Sequence, residues 1–499
     1  MEGKILLVTG KEAASSVKKH ARGRVHVCGV DVAALLSINA IARELSAIEL
    51  RGFSMVIVPG LVSGDTSRLS KKLGVPVYKG TKQASDIPVL LDSLPGLRLS
   101  TTLPADALIE SRARDSAQRK VREAYDGREG FLLAIGSRHP VYLGGGNPMH
   151  VVAEIADAPR LSLDELKAKA RHYVESGASI VDIGMVAGED NSALVPEIIS
   201  SVKSTVKAPV SIDSMNEKEI VAAVDAGAEL VLSIGVGNSG VVGKIDVPFV
   251  VVPTSKAGRL PYSAEQRVRA LRKSVKAFRG RDFILDPVLS PLNHGFVESL
   301  KALSLLRSTY PKTPLLMGAG NVTELLDADS LGVNALLAGI ASEIGVELLF
   351  TVEASAKTRG SVAELSTSAK MMYLAKINRK SPKDLGLHLL KLKDKKAQHL
   401  VEDPKAREIE YLMAKNRPSV LESECYRISL VGHGINVLKY EGGTPGNGYR
   451  GNSAEVLCKT LCSKEKISPE HAAYLGKELA RAEIALKLGK NYVQDEELF

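Results

Sequence analysis

Three short apolar runs in this chain carry an aspartate at or near their ends: Val181-Asp182-Ile183-Gly184, Ile212-Asp213-Ser214 and Leu285-Asp286-Pro287. Acids that converge repel one another and need a partner or a role. One role is capping of the helix that follows. The other is recognition of a flat heterocycle with several N–H donors on one edge, such as an aminopyrimidinone, since an aspartate accepts two such bonds in the ring plane. Two further strand-end motifs supply smaller polar groups. Ser233 lies in Leu232-Ser233-Ile234-Gly235, and Asn321, which can both donate and accept, closes Met317-Gly318-Ala319-Gly320-Asn321. A second kind of chemistry is offered by Lys357-Thr358-Arg359-Gly360-Ser361, where cations and hydroxyls open a helix. Lys357, Thr358, Arg359 and Ser361 could hold a phosphate there, or form a solvated basic turn.

These residues need a scaffold that brings strand ends to one face. From Met149 onward eight apolar runs recur, each followed by a loop and usually by a helical pattern. They are Met149 to Ala156, Ser179 to Gly184, Pro209 to Asp213, Glu229 to Ile234, Val247 to Pro253, Asp282 to Asp286, Pro314 to Gly318 and Glu347 to Glu353. Ser162 with Glu165 three positions on forms a capping box for a helix that Gly177 stops. Eight such repeats in this length predict an α/β fold, a (β/α)8 TIM barrel whose strand carboxyl ends carry the site; an open doubly wound sheet is the alternative. The expected organisation is an N-terminal α/β layer domain (1–147), the barrel (148–380), a basic linker (381–402) and a small C-terminal α+β domain (403–499). In the first, Lys4 to Val8, Arg24 to Gly29, Ser54 to Pro59 and Val75 to Tyr78 read as strands. In the last, a hairpin around Gly432-His433-Gly434 precedes a glycine-rich surface loop, Gly442 to Gly448, and a long helix from Ser468 or Pro469 to about Leu488.

The bulk properties exclude several classes. With 499 residues, 44% hydrophobic, the chain can bury more than one core. Its formal charge of +9 is mostly local, because Lys and Arg outnumber acids 15 to 7 between Lys357 and Arg417; a solvated helical surface plus an anion site accounts for it without nucleic acid. Cys28, Cys425, Cys458 and Cys462 form no CxxC pair, so neither structural zinc nor a disulfide framework is expected. Neither a signal-peptide core nor a membrane span is read, and a cytoplasmic protein is expected.

The motifs Ala178-Ser179-Ile180-Val181-Asp182-Ile183-Gly184, Val210-Ser211-Ile212-Asp213-Ser214 and Ile284-Leu285-Asp286-Pro287, in this order, resemble the pterin-binding barrel superfamily of dihydropteroate synthases and methyltetrahydrofolate-dependent methyltransferases. The resemblance covers about Met149 to Ile377. It implies that Asp213 and Asp286 contact a pterin ring, that Ser233 stands where the family has Asn, and that Asp182 belongs to the second-strand motif. The whole chain, including His471 to Leu479, resembles archaeal dihydropteroate synthase-related proteins, which implies an archaeal source and a folate-type or methanopterin-type pathway. Two departures stand out. The first strand, Val152-Ala153-Glu154-Ile155-Ala156-Asp157, lacks the family's metal-binding Asn, with Glu154 a candidate substitute, so no metal ligand set is assigned although Mg is admitted. The Ser-Arg-Lys of synthases is replaced by Gly318-Ala319-Gly320-Asn321-Val322, which resembles the methyltransferase branch.

Three functions follow from the resemblance. The first is a synthase-like transferase joining a pterin-methyl pyrophosphate to an arylamine, with the turn Lys357 to Ser361 holding the leaving pyrophosphate. The second is methyl transfer from a methylated reduced pterin, with Asn321 beside Asp286 or Asp213. Its acceptor would be a corrinoid protein, carried separately because no Asp-x-His-x-x-Gly motif is present. The third is a non-catalytic pterin carrier. Reduced pterin is the substrate or cofactor in each, and a homodimer is implied by the family. Lys256, Arg259 and His294 lie in loops after strands and are read as surface groups able to reach a ligand.

Overall fold

A computed structural model describes residues 4–21, 23–32, 37–393, 424–441 and 444–499. The described residues form two compact units. One comprises 1–322, 331–351 and 362–389; the other comprises 323–330, 352–361 and 390–499.

In the first unit, the strands β1 (Lys4–Thr9), β2 (Arg24–Val27), β3 (Phe53–Val58) and β4 (Val77–Lys79) form a parallel sheet in the order β2-β1-β3-β4. Leu6, Val8, Val56, Val58 and Val77 bury one of its faces. The long helix Ala105–Asp126 leads to an antiparallel hairpin, β5 (Phe131–Ile135) and β6 (Val141–Gly144). This hairpin forms a two-stranded sheet of its own, apart from the parallel layer before it.

Eight parallel strands then form one sheet: β7 (His150–Ile155), β8 (Ile180–Gly184), β9 (Val210–Asp213), β10 (Leu230–Ile234), β11 (Phe249–Val251), β12 (Phe283–Leu285), β13 (Leu316–Gly318) and β14 (Leu348–Val352). Their order runs β12-β11-β10-β9-β8-β7-β14-β13, and a parallel bridge from Leu285 to Leu315 joins the two edges. Closure makes this a barrel and excludes the open doubly wound sheet. The helices pack outside because each carries an apolar stripe. Leu163–Glu175, for instance, starts on the Ser162–Glu165 capping box, buries Leu166, Ala170 and Tyr173, and is followed by Gly177 at φ +98°.

Side-chain alternation separates two cores. Val151, Ala153, Val181, Ile183 and Ile212 face the helices, whereas Val152, Ile180, Leu230, Val250, Ile284, Leu316 and Leu348 face inward. The inward set packs against Leu133, Ile135, Val141 and Leu143 of the β5–β6 hairpin, which plugs the amino-terminal end of the barrel.

In the second unit, β15 (Glu424–Val431), β16 (Gly434–Glu441) and β17 (Thr444–Gly451) form an antiparallel sheet. It packs against the helices Ala454–Lys464 and Pro469–Leu488 around Ile428, Val437, Leu461 and Leu479. The hairpin and the long helix lie where the sequence placed them. The glycine-rich segment does not stay a loop: from Thr444 it is an edge strand paired with β16. Most of the linker and the start of the tail, residues 394–423, lie outside the described residues.

Candidate functional site

On four of the strands the barrel places an acid two residues beyond an inward position. Glu154 follows Val152, Asp182 follows Ile180 and Asp286 follows Ile284, while Asp213 follows Ser211 in the same phase. Glu154 lies in register with Asp182, Asp182 with Ser211, and Gly184 with Asp213. One carboxylate oxygen each from Glu154, Asp182 and Asp213 lies within 4.8 Å of the others. Gly184 makes this approach feasible, since a Cβ there would sit 2.2 Å from Glu154 Oε1.

Asp182 is fully buried; Glu154, Asp213 and Asp286 are partly exposed. Asp182 Oδ1 accepts a hydrogen bond from Ser211 Oγ at 2.5 Å, whereas Oδ2 has no partner among the described residues. Burial, and then the charge of Asp213, push the Glu154 carboxyl up to about 7. Burial and the charges of Asp213 and Glu154 hold Asp182 well above the usual range. Burial raises Asp213 too, partly offset by the Ser233 hydroxyl. Asp286 is pushed up to about 7 by burial, against the Val288 N–H and the Arg267 charge that favour its ionised form. Three acids this close cannot all ionise in a poorly solvated site, so the cluster holds protons or a cation. Although the sequence assigned no metal ligand set, Glu154, Asp182 and Asp213 form one that could hold a hard divalent ion.

Two backbone irregularities position these groups. β10 pairs Val231 with Phe249 and next Ile234 with Val251, a bulge at which Ser233 adopts φ +67°. The bulge turns the Ser233 hydroxyl to Asp213. Asn238, 1% exposed, holds the turn by donating to Ser233 O and accepting from Gly235 N. After β12, Val288 takes φ +65°, an uncommon conformation for a β-branched residue, and its N–H donates to Asp286 Oδ1 at 2.7 Å. The 1% exposed Arg267 fixes that loop, donating to the carbonyls of Pro287 and Val288 and to the hydroxyls of Ser290 and Ser299. Asn321 joins the same loop through Nδ2, 2.9 Å from Leu289 O. Asn238, Val288 and Arg267 escaped the sequence reading. A capped helix start, Ser263 with Gln266, marks the helix that carries Arg267, but nothing local marks Arg267 as buried.

The residues proposed for phosphate belong to the second unit, and most of their polar groups are engaged. Glu324 accepts from Ala354 N at 3.0 Å, Ser355 N at 3.3 Å and Thr358 Oγ1 at 2.5 Å. Burial raises its carboxyl, but the bonds from Ser355, Thr358 and the backbone outweigh that and leave it below the usual range. Lys357 pairs with Asp327 at 2.8 Å, and Arg359, exposed, donates to Gly489 O at 3.4 Å. Ser361 is buried at the start of the helix Ser361–Asn378.

A closed parallel barrel with acids at its strand carboxyl ends defines a small-molecule-binding (β/α)8 protein. Residues 155–330 match the family described as pterin binding enzyme, 423–495 match a domain described as PterinBD-DUF4346, and 3–82 match a family of unknown function, DUF6513. An uncharacterized protein of Methanocaldococcus jannaschii is 34% identical, covering 99% of each chain. A Ycf91-like protein of Nostoc is 43% identical over 51 residues, 9% of this chain and 40% of that protein. Among solved structures, dihydropteroate synthase from Yersinia pestis with a pterine-sulfa conjugate is similar at 18% identity and a TM-score of 0.39, covering 49% of this chain and 100% of that one. The 7,8-dihydropteroate synthase of Vibrio fischeri is similar at 19% identity and a TM-score of 0.39, covering 50% and 99%. The chain belongs to the family of the uncharacterized Methanocaldococcus jannaschii protein, and its barrel carries the match to the pterin binding enzyme family. Among the described residues no helix is long and apolar enough to cross a membrane.

Proposed function

We propose that the barrel binds a reduced pterin through Asp182, Asp213, Ser233, Asp286 and Asn321 and acts as a transferase that moves a methyl group from it. The observation that carries this reading is the placement of Asn321, whose Nδ2 donates to Leu289 O at 2.9 Å, on the same loop that anchors Asp286, a carboxyl that burial pushes up to about 7. A methyl group leaves a pterin nitrogen readily only when that nitrogen departs as a neutral amine, which requires a proton. Acids poised near neutrality deliver one without a large penalty in either state. The remaining acids accept the N–H donors of the aminopyrimidinone edge, and the loop fixed by Arg267 keeps Asp286 and Asn321 in place. Mg, taking the place of the protons in that cluster, would be held by Glu154, Asp182 and Asp213, whose orphaned buried oxygen and all-oxygen donor set fit a hard cation, which leaves Asp286 as the proton donor. A corrinoid on a separate cytoplasmic protein would take the methyl group, in a folate-type or methanopterin-type pathway of an archaeon, with this chain as a homodimer.

Condensation of a pterin-methyl pyrophosphate with an arylamine is the second reading. It would need the pyrophosphate to displace Glu324, or to be held by Lys256 and Arg259, which are exposed and have no side-chain partner among the described residues. Transfer assays with both substrates separate the readings. With methyl-tetrahydropterin, Asn321→Ala is expected to slow turnover about 10- to 100-fold while weakening binding only modestly, and Arg359→Ala to leave it unchanged. Turnover of the pyrophosphate substrate that collapses in Arg359→Ala would favour condensation and sink the methyl-transfer reading.

A further inference from the structure

The β5–β6 hairpin does more than plug the barrel. Between it and the starts of β7, β8 and β9 lies a cavity of about 560 Å³, within the range that small-molecule ligands fill. The residues that open β7–β9 line this cavity, whereas Glu154, Asp182 and Asp213 lie at the other ends of the same strands, so it faces away from the carboxyl cluster.

Four cations line it, Arg128, Arg138, Lys207 and Lys370, against one acid, Asp126. They come from four places in the chain: the approach to the hairpin, the hairpin turn, the loop before β9 and the helix Ser361–Asn378. No ion pair engages any of the four among the described residues. Arg128 lies over the Tyr142 ring, 5.4 Å from its centre. Lys370 is partly buried, and burial holds its ammonium below the usual range, the cost of a recessed cation without a counter-charge.

The walls are fixed before any ligand arrives. His150, 5% exposed, has Nε2 3.1 Å from Tyr142 O and Nδ1 2.9 Å from Ser179 Oγ. A carbonyl can only accept, so Nε2 carries the proton and Nδ1 accepts from the serine; burial pushes the imidazole down to about 4 and keeps it neutral. On the other side Glu229 Oε1 accepts from Ser137 N at 2.8 Å and Ser137 Oγ at 2.9 Å, tying the hairpin turn to the start of β10. Three exposed cations and the half-buried Lys370, none in an ion pair among the described residues, line one preformed cavity, an arrangement suited to a multiply charged anion.

We propose that this cavity at the amino-terminal end of the barrel is a second ligand site, which binds a small molecule carrying two or more phosphate groups. The size and the recessed position of Lys370 favour a compact phosphorylated molecule over a nucleic-acid backbone, which needs an open track of cations.

The test is calorimetric titration of the full chain at low salt with sodium triphosphate and with ATP, and with sodium sulfate at matched ionic strength as control. Saturable one-to-one binding of triphosphate or ATP, well above sulfate, is expected. Lys370→Gln should weaken it by about tenfold or more, as loss of one charge-assisted donor predicts. Arg138→Gln should weaken it by several-fold, and Arg138 is exposed on the hairpin turn, so the variant leaves the buried core untouched. Asp286→Asn should leave it unchanged. Absence of saturable binding at millimolar triphosphate, or equal affinity in wild type, Lys370→Gln and Arg138→Gln, would overturn the proposal. Tighter binding of single-stranded oligonucleotides, lost in the same variants, would overturn the small-molecule occupant.

Discussion

Asp286→Asn is the sharpest probe of the acid cluster, because it removes a titrating group and keeps the shape. An asparagine Oδ1 can still accept from Val288 N, so the loop after β12 keeps its anchor. The wild-type carboxyl titrates at about 7 in the folded barrel against an ordinary value of 3.8 in an unfolded chain. Between those values the native state holds a proton that the unfolded state has released. The stabilising contribution is therefore complete below about pH 4 and is lost as pH rises through 7. Each unit of separation is worth about 1.4 kcal/mol, which gives a ceiling of roughly 4 kcal/mol. Partial exposure of the carboxyl lets water in and brings the expected effect to about 2 kcal/mol. The variant should match wild type near pH 4.5 and exceed it by about 2 kcal/mol at pH 8. Amide hydrogen exchange of peptides covering β11 and β12 reads this locally, which suits a chain without tryptophan whose units need not unfold together. A difference that stays constant from pH 4.5 to 8, or one that favours wild type at pH 8, would refute the claim that burial keeps Asp286 protonated.

Gly184→Ala should displace Glu154, since the added carbon would lie 2.2 Å from its Oε1; a loss of about 1 to 3 kcal/mol in thermal unfolding is expected, relieved in the double variant Gly184→Ala with Glu154→Ala. Limited proteolysis should cut between about Ser381 and Lys415, and a released barrel-containing fragment should still bind reduced pterin, checked by mass spectrometry and titration; a full-length chain that resists would refute the division into barrel, linker and tail domains.

The barrel was legible because its signal is repeated. Each strand is an apolar run whose polar end falls at a fixed offset, and eight copies reinforce one another. The acids were legible for the same reason, since an aspartate directly after an apolar strand has few structural uses. What escaped depends on partners distant in sequence. Glu324 fills the turn proposed for phosphate from about thirty residues upstream, and no local pattern around Lys357 shows it. The left-handed conformations of Ser233 and Val288 run against the preferences of serine and valine; they are imposed by the bulge and by the carbonyls that Arg267 gathers. The β5–β6 hairpin did leave a trace, two short apolar runs flanking Gly136-Ser137-Arg138-His139-Pro140, but it was absorbed into the preceding domain. The glycines of β17 conceal a strand because an edge position pairs on one side and tolerates missing side chains.

The hairpin plug also decides how protons reach the acids. With Leu133, Ile135, Val141 and Leu143 packed at one end, the barrel is a cup rather than a tube, and Glu154, Asp182 and Asp213 lie toward its open mouth. A flat ring seated at that mouth becomes the lid of the cup. Under the proposed pterin binding, a proton held by these carboxyls when the ring arrives would stay with the ligand, so the pH of the encounter would set the charge that it meets.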